Sequence, residues 1–273
     1  MIEIDDSGVD TPILTKDDIV RLEEPYDLPE RIRCAIVSCR QPHKRGYFAL
    51  LRDGTLSRIG HDCGKRLLGE HNFVLMRRDL DKRRARARRE QYIRSPDFDP
   101  GGALASLAPW DERVEMINQF IRDLGQLDAN MLAKMQDAVK WHHGELEYWD
   151  TRNRQLTRIQ IQRGKVLELP SGPIDKEIGW QADFVSAKTR ILKIIECLEK
   201  DEHTDDELKL LMSQIGEAQW KLRMTAEMLD EFDAFCGSIT TKQIMSIFFQ
   251  GVKLPRTLGP VDRTPINKLD PGP

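Results

Sequence analysis

Residues 34–64 read Cys34-AIVS-Cys39-RQP-His43-KRGYFALLRDGTLSRIG-His61-Asp62-Cys63-Gly64. The chain has five cysteines and six histidines, and three of those cysteines and two of those histidines fall in this stretch. Cys197 and Cys236 lie far away in helical sequence. Zinc takes four soft or borderline ligands converging tetrahedrally, and a structural zinc site needs this kind of clustering. Asp53-Gly54 signals a hairpin, because both central positions of a type I′ turn require positive φ. It joins an expected strand from Gly46 to Arg52 to its partner from Thr55 to Ile59, with Arg31–Val37 as a further strand. A helix then begins near Asp62, which puts Cys63 where unpaired N–H groups and the helix dipole favour a thiolate. Five candidates compete for four places. The preferred set is Cys34, Cys39, His43 and Cys63, with His61 as the alternative to Cys34 or His43. Cys34 shares a strand face with Ile32 and Ile36, which also suits a plain buried thiol.

The paired cysteines, the Pro42-His43 step, the Gly46-Tyr47 strand and the Ile59-Gly60 turn into Cys63-Gly64 carry a likeness. They resemble the small treble-clef-like zinc modules of bacterial and phage proteins, over about residues 30–70. The first spacing, Cys-x4-Cys, is longer than the usual Cys-x2-Cys. The resemblance implies a β-hairpin and helix built around one Zn2+ ion, which stands in for a core that so few residues cannot supply.

Before this module, residues 1–29 read as an arm. Residues 1–14 are expected to fray, and a short helix is expected from Thr15, an N-cap, to about Glu24 before Pro25. After it, residues 71–95 form a basic helix. Residues 63–94 hold eleven Lys or Arg against four Asp or Glu. Lys65, Arg66, Arg77, Arg78, Lys82, Arg83, Arg84, Arg86, Arg88 and Arg89 are therefore candidate nucleic-acid contacts, since each neutralised phosphate releases a counterion. The arginines fall all around the helix, so the sequence defines no groove-facing stripe. The rival partner is internal, because residues 196–235 hold twelve acids against four bases.

Residues 96–108, with Pro96, Pro100, Gly101 and Gly102, read as a linker, and 109–251 as a helical domain. Val114, Ile117, Ile121 and Leu124 form one stripe. A second helix after Asp128 carries Leu132, Met135, Val139, Leu146 and Trp149, and runs past residue 155 if Gly144 is tolerated. Pro170-Ser171-Gly172-Pro173 breaks the pattern. Phe184, Ala187, Ile191, Ile194 and Leu198 form an a/d-like seam. Thr204-x-x-Glu207 opens a helix in which Leu208, Ile215, Leu222 and Leu229 recur every seven residues, so the two pack as an antiparallel hairpin. A last short helix carries Ile244, Ile247, Phe248 and Phe249, and residues 252–273 read as a disordered tail. Trp110, Trp141, Trp149, Trp180 and Trp220 read as core or interface anchors. The adjacent His142 and His143 point in different directions on a helix and do not chelate.

The fold class is therefore mainly α, with a small α+β zinc finger followed by antiparallel helical hairpins of coiled-coil character. No apolar run approaches the roughly 18 residues that span a bilayer, and the acidic start at Glu3, Asp5 and Asp6 is not a signal peptide. The odd cysteine count and the metal-like cluster suit a reducing, cytoplasmic compartment. No phosphate-loop, dinucleotide or thiol-enzyme pattern accompanies the ligands. The expectation is a non-enzymatic, zinc-stabilised nucleic-acid-binding (DNA or RNA) or regulatory protein. The alternative is an adaptor whose finger and helical hairpins dock a partner protein or a second copy in a homodimer.

Overall fold

The computed structural model describes residues 11–39, 41–127, 129–141, 145–150, 154–160, 179–237, 242–243, 245–246 and 251–270. The expectations for residues 1–10, His142-His143, the 170–173 break and Ile244, Ile247, Phe248 and Phe249 lie outside these. The chain divides into two compact units, Met1–Gln91 and Tyr92–Pro273.

The first unit is a three-stranded antiparallel sheet followed by helix. Strands β1 (Ile19–Arg33), β2 (Pro42–Leu51) and β3 (Leu56–Gly60) lie in the order β1-β2-β3. A single turn of 3-10 helix, Lys16–Asp18, precedes β1 where a longer helix was expected. The Asp18 carboxylate accepts the backbone N–H groups of Leu14 and Thr15 at 2.9 and 2.7 Å and caps the start of this turn. β1 pairs with β2 through three register shifts, and Pro25 and Pro29, which lack a backbone donor, fall at the second and third of them. Residues 11–14 are not frayed. Ile13 is fully buried and forms a parallel bridge to Ile36, with its N–H on the Ala35 carbonyl at 3.0 Å.

The β2–β3 hairpin pairs Gly46 with Gly60 through to Leu50 with Leu56. Its turn is not type I′. Gly54 has φ +84°, whereas Arg154 is the one non-glycine with positive φ among the described residues. Asp53 instead accepts the N–H and hydroxyl of Thr55 at 2.9 and 2.7 Å, an Asx-type turn. Helix α1 (His61–Leu68) follows at once, Gly69 at φ +78° breaks it, and α2 runs from Glu70 to Ile93. Leu22, Ile36, Ala49, Ile59, Cys34, Cys63, Leu68, Phe73 and Leu80 belong to one core that joins the sheet to both helices.

The second unit is helical. The expected linker contains α3 (Pro100–Ala105), capped by Asp99, whose carboxylate accepts the Gly102 N–H at 2.7 Å. Ala103 and Leu107 are fully buried, so this segment is part of the core. Helices α4 (Ala108–Leu127) and α5 (Ala129–Trp141) follow. The helix expected past residue 155 stops at Trp141. Residues 145–150 and 155–160 pair as an antiparallel hairpin, β4–β5, with Arg154 at φ +50° entering β5. The alternation Glu145-Leu146-Glu147 has a strand period, and it prevails over the helical continuation.

Helices α6 (Gly179–Leu198) and α7 (Asp205–Gly237) form the expected hairpin. Lys221 pairs with Asp183, Arg190 with Glu217 and Lys200 with Glu207, so position rises on one helix as it falls on the other. Leu208, Ile215, Leu222 and Leu229 are all buried. Trp110 is buried and stacks on Phe184, with ring centroids 6.3 Å apart. Trp141 and Trp220 are instead more than half exposed, at 67% and 54%, and do not anchor the core.

Residues 252–270 are not a disordered tail. They run as a strap that ends in a short helix, α8 (Thr264–Asn267), and bury Val261, Ile266 and Leu269. Asp233 accepts the N–H groups of Leu258 and Gly259 at 2.6 and 3.1 Å, and Asp230 accepts that of Val261 at 2.8 Å and the Arg263 guanidinium at 2.9 Å. Arg113 donates to the carbonyls of Leu258 and Gly259, and Trp110 Nε1 to that of Asp262.

Candidate metal centre and basic helix

Cys34 leaves the end of β1, Cys39 lies in the turn before β2, and Cys63 sits in the first turn of α1. Their Sγ atoms all lie within 4.8 Å of one another. Cys34 and Cys63 are buried and Cys39 half-buried, and none is in a disulfide. Three converging thiols of this kind could hold a metal ion. The reading of Cys34 as an isolated buried thiol gives way to a shared cluster.

The electrostatics of the cluster follow from burial and from Arg66. Cys39 and Cys63 are hydrogen-bonded at 3.0 Å, and the Arg66 guanidinium lies 3.6 and 3.8 Å from their sulfurs. Burial pushes the Cys63 thiol up to about 12, and the adjacent Cys39 adds to it. Burial also raises Cys39. The hydrogen bonds from the Cys63 thiol and the Gln41 backbone, with the Arg66 charge, outweigh it and bring Cys39 below its ordinary value. Of the two, Cys39 is the readier thiolate.

The two histidine candidates differ. His61 is exposed, with Nδ1 3.1 Å from Asp62 Oδ1 and its ring edge-on to Phe73. His43 is turned inward from β2. Its Nδ1 is 3.1 Å from Tyr26 Oη, and its Nε2 is buried with no hydrogen-bond partner. Burial, with the Arg58 charge second, holds the imidazole below its ordinary value, so it is neutral at pH 7. His43, Gly60, His61 and Cys63 line one open cleft of about 640 Å³. Gly60 is required there, since a Cβ would stand 2.7 Å from His43 Cδ2.

The basic residues of α1 and α2 do not act alike. Lys65 pairs with Glu70 at 2.7 Å, and Arg66 faces the thiols. Arg83 reaches back to β1, where it pairs with Glu23 at 2.8 Å and donates to the Leu22 carbonyl, and it also binds Asp79 at 3.0 Å. Arg84 pairs with Glu24 at 3.2 Å. The acidic complement of these two arginines is thus β1. Phe73 and Leu80 mark the inward side of α2. At about 100° per residue, Arg78, Lys82, Arg86 and Arg89 fall on the opposite side, within an arc of about 80°. Arg78, Lys82 and Arg86 are exposed and Arg89 half-buried, while Arg86 also touches Glu90 at 2.9 Å. Arg77 and Arg88 are exposed on a flank. Burial of the inward side thus defines a stripe that the arginine-rich sequence alone could not.

No helix among the described residues is long and apolar enough to cross a membrane. No protein-family model, curated protein or solved structure matches the chain.

Proposed function

We propose that the protein is a non-enzymatic, zinc-stabilised nucleic-acid-binding protein whose helical unit serves assembly. The three-thiol cluster supports the metal, and its thiolate-rich chemistry favours Zn2+ over the harder divalent ions. Reduced thiols at this centre suit a cytoplasmic setting. The observation that carries the nucleic-acid reading is the outward stripe of Arg78, Lys82, Arg86 and Arg89 on α2. Its spacing along one helix face suits a row of backbone phosphates, and guanidinium forks suit phosphate geometry. No aromatic or base-reading pattern accompanies it, so the binding is expected to follow charge more than sequence.

The test is fluorescence anisotropy with duplex DNA and with RNA across a salt series. Arg78→Glu combined with Lys82→Glu should reduce affinity at low salt at least tenfold and flatten the salt slope by about two phosphate contacts. Binding that is unchanged in this variant overturns the reading. Arg83 and Arg84 are poor probes, because they hold β1.

A second reading, docking of a second copy through the helical unit, is favoured by Val185 and Leu192. They lie seven residues apart on α6, and each is 48% exposed. Light scattering should give twice the chain mass, and Val185→Glu with Leu192→Glu should restore the single-chain value. A single-chain mass in the wild type sets this reading aside.

A further inference from the structure

We infer that Cys39 and Cys63 form a peroxide-sensitive redox pair, in which a reversible disulfide between them withdraws two of the three thiols from the metal centre. The pairing stands on the sulfur geometry, and its consequence for metal rests on the metal reading above.

The Sγ atoms of Cys39 and Cys63 lie 3.0 Å apart in a hydrogen bond, and neither is in a disulfide. A disulfide bond is about 2.05 Å long, so the sulfurs need approach by only about 1 Å. That approach falls to the turn that carries Cys39, because Cys63 is fixed in the first turn of α1. Access separates the three thiols. Cys39 is half-buried, whereas Cys34 and Cys63 are buried. An oxidant from solvent therefore meets Cys39 first, and Cys63 is the sulfur held against it. The Arg66 guanidinium lies 3.6 and 3.8 Å from these two sulfurs, and its charge is permanent. A partly exposed cysteine beside a cation is the environment in which thiols react. Arg66 follows Cys63 by three positions, so α1 delivers both to the same side.

The oxidant is hydrogen peroxide. Its O–O bond breaks as the Cys39 sulfur takes one oxygen and becomes a sulfenic acid, and the other oxygen leaves as water. The Cys63 sulfur then attacks that of Cys39, the S–O bond breaks, and the second oxygen leaves as water. The two thiols lose two protons and two electrons in all, and both pass to the peroxide. Cys34 is left as a single thiol, too few to hold the ion. Disulfides of reducing compartments are characteristically transient and redox-sensing, which agrees with that setting.

Hydrogen peroxide added to the reduced full chain, stripped of metal, tests the pairing. The product should weigh two hydrogens less, and peptide mapping should join Cys39 to Cys63 and leave Cys34 open to alkylation. Cys34→Ser should still form the link. Cys63→Ser should instead leave a sulfenic acid on Cys39 that dimedone traps. The linked chain should take up no Zn2+, and dithiothreitol should restore uptake to one ion per chain. If peroxide forms no link between Cys39 and Cys63 in the wild type, the inference is overturned, and the metal reading stands if that chain still binds Zn2+. Undiminished Zn2+ uptake by the linked chain overturns the switch. A link that forms in a chain binding no Zn2+ when reduced leaves the redox pair standing and overturns the metal reading.

Discussion

Arg83 shows why a residue's chemistry is set by what faces it. Within a run of arginines it reads as a phosphate contact, yet its guanidinium binds Glu23, Asp79 and the Leu22 carbonyl. Burial raises the carboxyl of Glu23, and the hydrogen bonds from Arg21 and Arg83 more than offset it, holding that carboxyl below its ordinary 4.5. A carboxyl depressed in the folded state stabilises above its unfolded value, and the contribution is lost as pH falls through the folded one. Arg83→Ala should therefore cost about 1–2 kcal/mol at neutral pH. It should also make the first unit less sensitive to acid below pH 4.5, as read by the circular dichroism of unfolding at pH 7 and pH 3. An acid sensitivity equal to the wild type's would show that Glu23 draws its stabilisation elsewhere. At this scale the three cysteines were readable, because clustered thiols have few other uses. The partners of single arginines were not, because a guanidinium's target is chosen by a fold that brings positions sixty apart together.

Among the elements, those with a sustained period were readable and those held by particular bonds were not. Leu208, Ile215, Leu222 and Leu229 repeat every seven residues, and each is buried on α7. Strand β1 hid its nature. Ile19 and Leu22, three apart, imitate a helical stripe, and the bulges around Pro25 and Pro29 erase the alternation a strand would show. The strap had no period at all, because Val261, Ile266 and Leu269 are separated by Pro265 and by charged and polar residues. What holds it is carboxylate acceptance of backbone N–H groups. Asp233→Ala leaves the N–H groups of Leu258 and Gly259 without their acceptor, and should cost about 1–3 kcal/mol. Hydrogen exchange should quicken at those two amides before it does in α6 or α7. Exchange that rises uniformly across the helices would show that the strap has no separate stability.

For the whole molecule, each unit has its own buried core, and the thiol cluster belongs to the first alone. Metal binding to a small domain is part of its folding free energy. Calorimetry should then resolve two transitions, and a chelator should lower the one from residues 1–91 while leaving the other in place. A single transition that shifts as one would show that the units unfold together. The strap has a consequence in time as well. Tyr92 donates to the Leu269 carbonyl across 177 positions, and Trp110 to that of Asp262 across 152. Contacts that close such long loops are made late, because the entropy of closure is spent before the reward arrives. The hairpin of α6 and α7 needs only a short turn and can form first. The second unit therefore passes through a stage in which its helices are assembled while the apolar seat of Ile266 and Leu269 still faces water, and aggregation during refolding should begin from that stage.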